Sequence, residues 1–247
     1  MLRIAALAYA FVAYAAGMAV LALFGAFLLG FDLLARAGAP LAEALAVDIA
    51  LIALFGVQHS VMARPAFKEA WTRLVPRAIE RSTYVIVSAL ALGALIAFWK
   101  PTPGVLWEAS GGTAIALYAV FGLGAAILVS STFMIDHFDL FGLKQAWNAG
   151  RTCRPSSDFR VVLLYRLVRH PIMLGFLVMF WAVPRMTLDH LVLSLGLTAY
   201  ILVALHFEER DLVEEHGEAY RRYRREVSAL IPLPRAAEEE PVAPARR

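Results

Sequence analysis

The stretch LVRHPIMLGFLVMFW, residues 167–181, decides the fold. An Arg and a His stand before a Pro, and an uncharged apolar run follows to Trp181. A helix that is apolar on every side belongs in a buried interior or in lipid. Pro171 suits its first turn, where the missing N–H leaves nothing unpaired. A helix N-terminus offers unbonded N–H donors and a partial positive charge. With Arg169 and His170 just before it, this mouth is a receiver for a carboxylate or another anion. The run is too short to cross a bilayer alone, which takes roughly 20 apolar residues. Pro184 ends it, so it reads as one arm of a hairpin turning through VPRMTLDH, residues 183–190.

The same apolar character extends outward along the chain. Of 247 residues, 60% are hydrophobic and 17% are charged, with a mean hydropathy of +0.66. Soluble domains carry about 25% charged residues. Apolar runs occupy 4–31, 41–62, 83–99, 111–135, 172–184 and 187–207. The expected fold is all-α: an integral membrane helical bundle of five to six transmembrane segments with a C-terminal helical hairpin. The first run follows Arg3 as a signal peptide would, yet it is about twice the usual ~7–15 apolar residues. It reads as a retained span. No internal repeat is visible, and residues 1–232 form a single membrane domain. Residues 208–227 read as a cytoplasmic helix interrupted at Gly217. Residues 233–247, LPRAAEEEPVAPARR, are rich in Pro and charge and read as a disordered cytoplasmic tail.

Charge sets the orientation. All but three of the 23 Lys and Arg lie before the first run, in the 62–82 and 136–169 loops, or after residue 207. The opposite side holds Arg36, Lys100 and Arg185. Lys and Arg gather on the cytoplasmic side, which places both termini in the cytoplasm. Topology thereby accounts for the net charge of +3 and the pI near 9.2, and no nucleic-acid partner is expected. The single Cys153 excludes a disulfide framework and a Cys-based metal site. It reads as an unremarkable loop thiol.

Ionisable residues inside spans are functional candidates. Asp48 and His59 lie eleven residues apart in the second run, on one helical face and about 16 Å apart along the axis. They mark either a polar path inward or a helix packed through Asp48. In STFMIDHFDLFGLKQ, residues 131–145, Asp136, His137 and Asp139 cluster among Phe133, Phe138 and Phe141. Two carboxylates and one His do not make a metal site, and none is expected. The segment reads as half sunk in the interface, with or without a part in shaping a substrate site. At the end of the last run, Glu208 and Glu209 emerge at a boundary where anionic head groups repel acids. His206 and Glu209 are spaced to share a face. The hairpin brings this acidic mouth beside the RHP mouth. Together they suit a zwitterionic ligand bearing a sugar.

RHPIMLG, residues 169–175, followed by EERDLVEEHGEAYRRYRREVSALIP, residues 208–232, resembles the C-terminal half of the isoprenylcysteine carboxyl methyltransferase family. Met173 stands where that family has Tyr. HSVMARPAFKEAWTRLVPRAIERSTYV, residues 59–85, and the 131–145 segment are similar to the NnrU-like branch, and within it to bacterial methanethiol S-methyltransferases. The resemblance covers about residues 45–232. It implies methyl transfer from S-adenosyl-L-methionine to the small thiol methanethiol, giving dimethyl sulfide, in the bacterial inner membrane. By matching positions, Arg169, His170, Pro171 and Gly175 frame a cytoplasmic cofactor pocket from one side. Glu208, Glu209, Tyr220 and Tyr223 frame it from the other. The substrate can enter from the bilayer, and the oligomeric state is left open.

The nucleophile is the thiolate, and a simple alkyl thiol has a pKa above the ~8.5 of Cys. A general base is therefore expected within hydrogen-bond reach, and His suits that role near pH 7. His137 and His59 are the candidates. His137 leads, with Asp136 and Asp139 orienting its ring. Rival readings are a sister methyltransferase acting on another thiol or a carboxylate, a non-catalytic NnrU-like protein of nitrogen-oxide metabolism, and a sterol-reductase-like oxidoreductase. The charge split carries its own test. Alkaline phosphatase fused to the C-terminus is expected to stay inactive, and periplasmic activity would reverse the orientation.

Overall fold

The structure is a computed structural model that describes residues 2–31, 34, 36–150 and 161–232. Cys153 and the 233–247 tail, each given a reading above, lie outside the described residues, as do Arg151, Arg154 and Arg160. The elements in chain order are α1 (Leu2–Leu28), α2 (Leu41–Ala63), α3 (Pro65–Trp71), α4 (Glu80–Phe98), β1 (Val105–Glu108), α5 (Gly111–Ile135), α6 (His137–Leu140), α7 (Leu143–Trp147), α8 (Pro171–Trp181), β2 (Arg185–Thr187), α9 (Leu188–His216) and α10 (Glu218–Glu226). Short 3₁₀ turns cover Arg77–Ile79 and Leu163–Arg166. Five helices are long and apolar enough to cross a membrane: α1, α2, α4 with the turn before it, α5 and α9. The chain is an all-α membrane bundle, with α8 as the short sixth segment.

Buried Phe24, Leu51, Leu95, Trp99, Phe180 and Leu193 meet in one core between α1, α2, α4, α8 and α9. Large apolar side chains such as Ile115, Leu123 and Val129 on α5 point outward and are exposed, a surface suited to hydrocarbon. Helix α8 lies against α5 at unusually short range. A Cβ placed on Gly175 would sit 2.7 Å from the Gly124 carbonyl oxygen and 2.8 Å from Leu128 Cβ. Small residues that let backbones approach are what hold helices together in lipid, where apolar burial supplies no drive.

An eleven-residue helix leaves its last carbonyls in low dielectric, where unbonded backbone groups are expensive. The protein meets this with side chains from α9. His190 Nε2 and Ser194 Oγ both bond to the Phe180 carbonyl, at 3.0 and 2.9 Å. The turn after α8 then becomes β2, which pairs antiparallel with β1 through Val105↔Thr187 and Glu108↔Arg185. This ribbon is absent from the sequence reading, because its two strands are very short and show no alternation. Asp48 is fully buried, and its Oδ1 accepts the Lys100 backbone N–H at 2.9 Å. It therefore packs α2 against the loop after α4. Helix α9 also differs from the expectation of a separate helix beginning at residue 208. It runs unbroken to His216 and breaks at Gly217, whose φ of +58° lies in the left-handed region that glycine tolerates.

At 29 residues, α9 is roughly 43 Å long and outruns the ~30 Å hydrocarbon layer, so its last turns stand clear of it. Those turns meet the start of α8, the end of α2 and α10 at the end of the bundle that carries most of the basic residues. That basic end holds the candidate site. Gly175→Ala is expected to destabilise the bundle by about 1–3 kcal/mol through overpacking against α5. The check is thermal unfolding in detergent, and an unchanged midpoint would show that the α5–α8 contact yields freely.

Candidate active site

The expected anion receiver at the mouth of α8 is filled by the chain itself. Arg169 is buried, and its Nε donates to Glu209 Oε1 at 2.7 Å while Nη2 donates to the same oxygen. Its Nη1 donates to the carbonyls of Arg224, at 3.1 Å, and of Val227. His170 Nε2 stands 3.3 Å from Glu209 Oε1, and Arg224 Nε lies 3.6 Å from Oε2. The backbone closes the knot. Arg169 and His170 N–H groups donate to the Ser228 and Ala229 carbonyls at 2.9 and 3.1 Å. Helix α8, helix α9 and the strand-like segment after α10 are thus tied at one point. Pro171 is buried at the first position of α8. Gly175 sits in the contact with α5 described above, one turn further on.

Glu208 is placed differently. Its side chain is 44% exposed, and its Oε1 lies 3.8 Å from His170 Nδ1. The carboxylate bears electrostatically on four phenols: Tyr84, Tyr165, Tyr200 and Tyr220. Tyr220 and Tyr223 are buried on α10, edge to face at 5.8 Å, and the Tyr223 hydroxyl donates to the Tyr165 carbonyl. Burial pushes the Tyr223 phenol up to about 12. Burial first, and then the Glu209 and Glu208 charges, raise Tyr220 as well. Both phenols stay protonated at neutral pH.

His59 lies on α2 in a polar network with α4. Its Nε2 is 2.9 Å from the Tyr84 hydroxyl, and its Nδ1 is 3.1 Å from Ser88 Oγ. Phe55 stacks on the ring, and Tyr200 of α9 stands edge-on to it at 6.5 Å. Arg81 lies over the Tyr84 ring at 4.9 Å. The His59 network and the α8–α9 mouth share the charge of Glu208, which bears electrostatically on both Tyr84 and Tyr200. Nearby, Arg64 Nη1 pairs with Asp211 Oδ2 at 2.8 Å and fastens α2 to α9.

His137 belongs to a different part of the bundle. The Thr132 hydroxyl donates to the Val129 carbonyl at 2.7 Å, so the contact at 2.8 Å between its oxygen and His137 Nδ1 has the imidazole N–H as donor. The other ring nitrogen, Nε2, accepts from the Tyr14 hydroxyl at 3.0 Å. Phe133 stacks on the ring at 4.1 Å, and Phe138 and Phe141 close the box. Burial holds the imidazole below its usual value, so it is neutral at pH 7. Asp136 and Asp139 do not orient it. Asp136 caps α6 by accepting the Asp139 N–H at 3.1 Å and pairs with Lys144, whose hydrogen bond lowers its carboxyl. Among the described residues, no three His, Cys, Asp or Glu side chains gather as a metal ion would need.

The arrangement offers a partly exposed carboxylate, phenols and a bonded histidine on α2, α4, α9 and α10. Residues 48–233 match the NnrU protein family. The chain belongs to that family. The matched range contains both the His59 network and the Glu208–Glu209 mouth. Among its relatives, the methanethiol S-methyltransferase of Mycobacterium tuberculosis is 53% identical over 199 residues, covering 79% of this chain and 81% of that protein. Methanethiol S-methyltransferase 2 of Bradyrhizobium diazoefficiens is 50% identical over 236 residues, covering 93% and 91%. Nurim of Rattus norvegicus is 35% identical over 179 residues, covering 68% of each chain. No solved structure gives a significant match.

Sequence reading missed Tyr84, Tyr165, Tyr200 and Arg224. Only Tyr200 left a trace, eight residues before Glu208 and so on the same helical face. The two adjacent acids separate in a stability measurement. Removing Glu209 strands a buried Arg and is expected to cost about 3–5 kcal/mol. Glu208→Ala is expected to leave the unfolding midpoint nearly unchanged. Equal losses in detergent unfolding would contradict the division between them.

Proposed function

We propose that this protein methylates methanethiol with S-adenosylmethionine, giving dimethyl sulfide, and that the basic end of the bundle faces the cytoplasm. The observation that carries the reading is the split within the acidic pair: Glu209 is consumed by Arg169, while Glu208 is held open beside His170 and a set of phenols. A carboxylate left partly exposed among aromatic rings suits a cationic ligand with hydroxyl groups. The donor's chemistry fits that setting, with its sulfonium and ammonium charges and its ribose. The methyltransferase relatives are named for that activity. When bound, S-adenosylmethionine supplies an electrophilic methyl group on sulfur.

The chain's own part is to bind, orient and take a proton. Glu208 neutralises cationic charge, and Tyr165, Tyr200 and Tyr220 stand near enough to it to donate to hydroxyl or carboxylate oxygens. His170, Pro171 and the first turn of α8 close the other side. Gly175 contributes by letting α8 sit tight on α5. The thiol proton goes to the His59 network rather than to His137. Both histidines have bonded rings, but only the His59 network shares Glu208 with the mouth of α8. Tyr84 donates its hydroxyl proton to His59 Nε2, which leaves its oxygen lone pairs to accept the thiol S–H. As sulfur attacks, the thiol proton moves to Tyr84 and the Tyr84 proton moves to His59. The imidazolium is then stabilised by Ser88 Oγ at Nδ1.

Purified protein given S-adenosylmethionine and methanethiol is expected to release dimethyl sulfide into the headspace, and none would refute the activity. General-base removal typically costs 10²–10⁴-fold. His59→Gln is accordingly expected to lose on the order of 10²-fold in turnover at pH 7, with calorimetric cofactor affinity retained. Raising the pH towards the thiol's own pKa, above ~8.5, should restore part of the rate. If His137→Gln shows that pattern and His59→Gln does not, the base is His137.

A further inference from the structure

A groove of about 490 Å³ opens at the basic end of the bundle between α1, α6 and α7. Leu7, Phe138, Leu143 and Trp147 form its walls, and the Asp136–Lys144 pair lies at its rim. Its volume is in the range of small-molecule sites, roughly 300–1,000 Å³. Leu7 is one helical turn inside the span that opens at Arg3. The floor is therefore at hydrocarbon depth and the rim at the level of the first turn. Phe138 and Trp147 are more than half exposed there, as aromatic side chains at a membrane boundary are. Arg3 lies over the Trp147 ring at 4.5 Å. Its Nε is buried and has no hydrogen-bond partner. Asp136 pairs with Lys144, the Asp139 charge also acts on Lys144, and Arg3 adds a second cation over Trp147.

We infer that this groove holds an anionic phospholipid, with its phosphodiester between Arg3 and Lys144 and its first acyl carbons against Leu7, Phe138 and Leu143. The half-buried Arg3 guanidinium lies over Trp147 beside the groove, and a guanidinium fork suits phosphate oxygens. The apolar floor at hydrocarbon depth selects a lipid over a free anion.

The protein is reconstituted in phosphatidylcholine vesicles, and phosphatidylglycerol with brominated acyl chains is titrated in while Trp fluorescence is followed. A saturable quenching component is expected, absent in Trp147→Phe, with a lower midpoint than brominated phosphatidylcholine gives. Each basic residue near an anionic surface is worth about five-fold in binding. Arg3→Gln and Lys144→Gln should each raise the midpoint by about that factor, and Arg3→Lys should largely preserve it. Circular dichroism checks that each variant keeps its helices. Should Lys144→Gln fail because Asp136 loses its partner, the two Arg3 variants decide alone. Equal midpoints for the two lipids, or a midpoint indifferent to Arg3, would overturn the inference. So would displacement by millimolar inorganic phosphate, which marks a free-anion site.

Discussion

The bundle's working end depends on one buried ion pair, Arg169 with Glu209. Taking two charges out of water costs several kcal/mol per ion, and attraction repays it only when the remaining donors and acceptors are also bonded. Here they are. Two carbonyls from the segment around α10 take the rest of the guanidinium, and His170 and Arg224 approach the carboxylate. Such a pair adds little net stability over an apolar one of the same shape. What it fixes is position. It sets the register between the start of α8, the last turns of α9 and the chain after α10, and the bond pattern fails if any of the three slides by a residue.

That fixed point is what allows α8 to be short. An eleven-residue helix is roughly 16 Å long, about half the hydrocarbon layer. It begins at the Arg169 knot and ends within the bundle, where His190 and Ser194 satisfy the Phe180 carbonyl and the Trp181 indole donates to Thr198 at 3.2 Å. The β1–β2 ribbon then covers the turn, with the Trp107 indole donating to the Val183 carbonyl at 3.3 Å. These polar atoms at the end of α8 are thus paired inside the protein, as the absence of water requires. Gly175 against Gly124 supplies the close approach that a helix with so little lateral surface needs.

The architecture was legible because lipid imposes a coarse rule. Six apolar runs became six helices, and the hairpin around Pro184 turned where the sequence implied. Partner choice within the bundle was less legible. Arg169 and Glu209 were both visible as unusual charges at helix mouths, yet each was read as waiting for a ligand. Sequence spacing shows that two groups lie at one membrane level, but it does not show whether they meet. The partners of His137 were misread for a related reason. Two aspartates flank it in the chain, but the α5–α6 elbow turns Asp136 outward to Lys144, and Tyr14, more than a hundred residues away, takes their place. The β1–β2 ribbon left no pattern because strands of four and three residues are too short for alternation to register.

The acidic pair shows how helix geometry divides a motif. Successive residues on an α-helix point about 100° apart, so Glu208 and Glu209 come to His170 from different sides, at 3.8 Å from Nδ1 and 3.3 Å from Nε2. The face of α9 that carries Glu208 also carries Tyr200, two turns earlier, and Asp211, about one turn later. Tyr200 packs on Gly56, where a Cβ would lie 2.8 Å from its ring, and Asp211 pairs with Arg64. That whole face is turned towards α2 and its His59. Glu209, about 100° further round the helix, is turned to Arg169. Helix α9 thereby acts as a straight ruler with two edges. One edge is locked to α8 by charge, and the other presents Glu208 to the α2–α4 network at a distance set by the same lock. Moving the knot by one residue along α9 would rotate Glu208 away from Tyr84 and His170 together. The ion pair and the open carboxylate are therefore a single device, in which the paired acid determines where the basic end of the bundle holds the other.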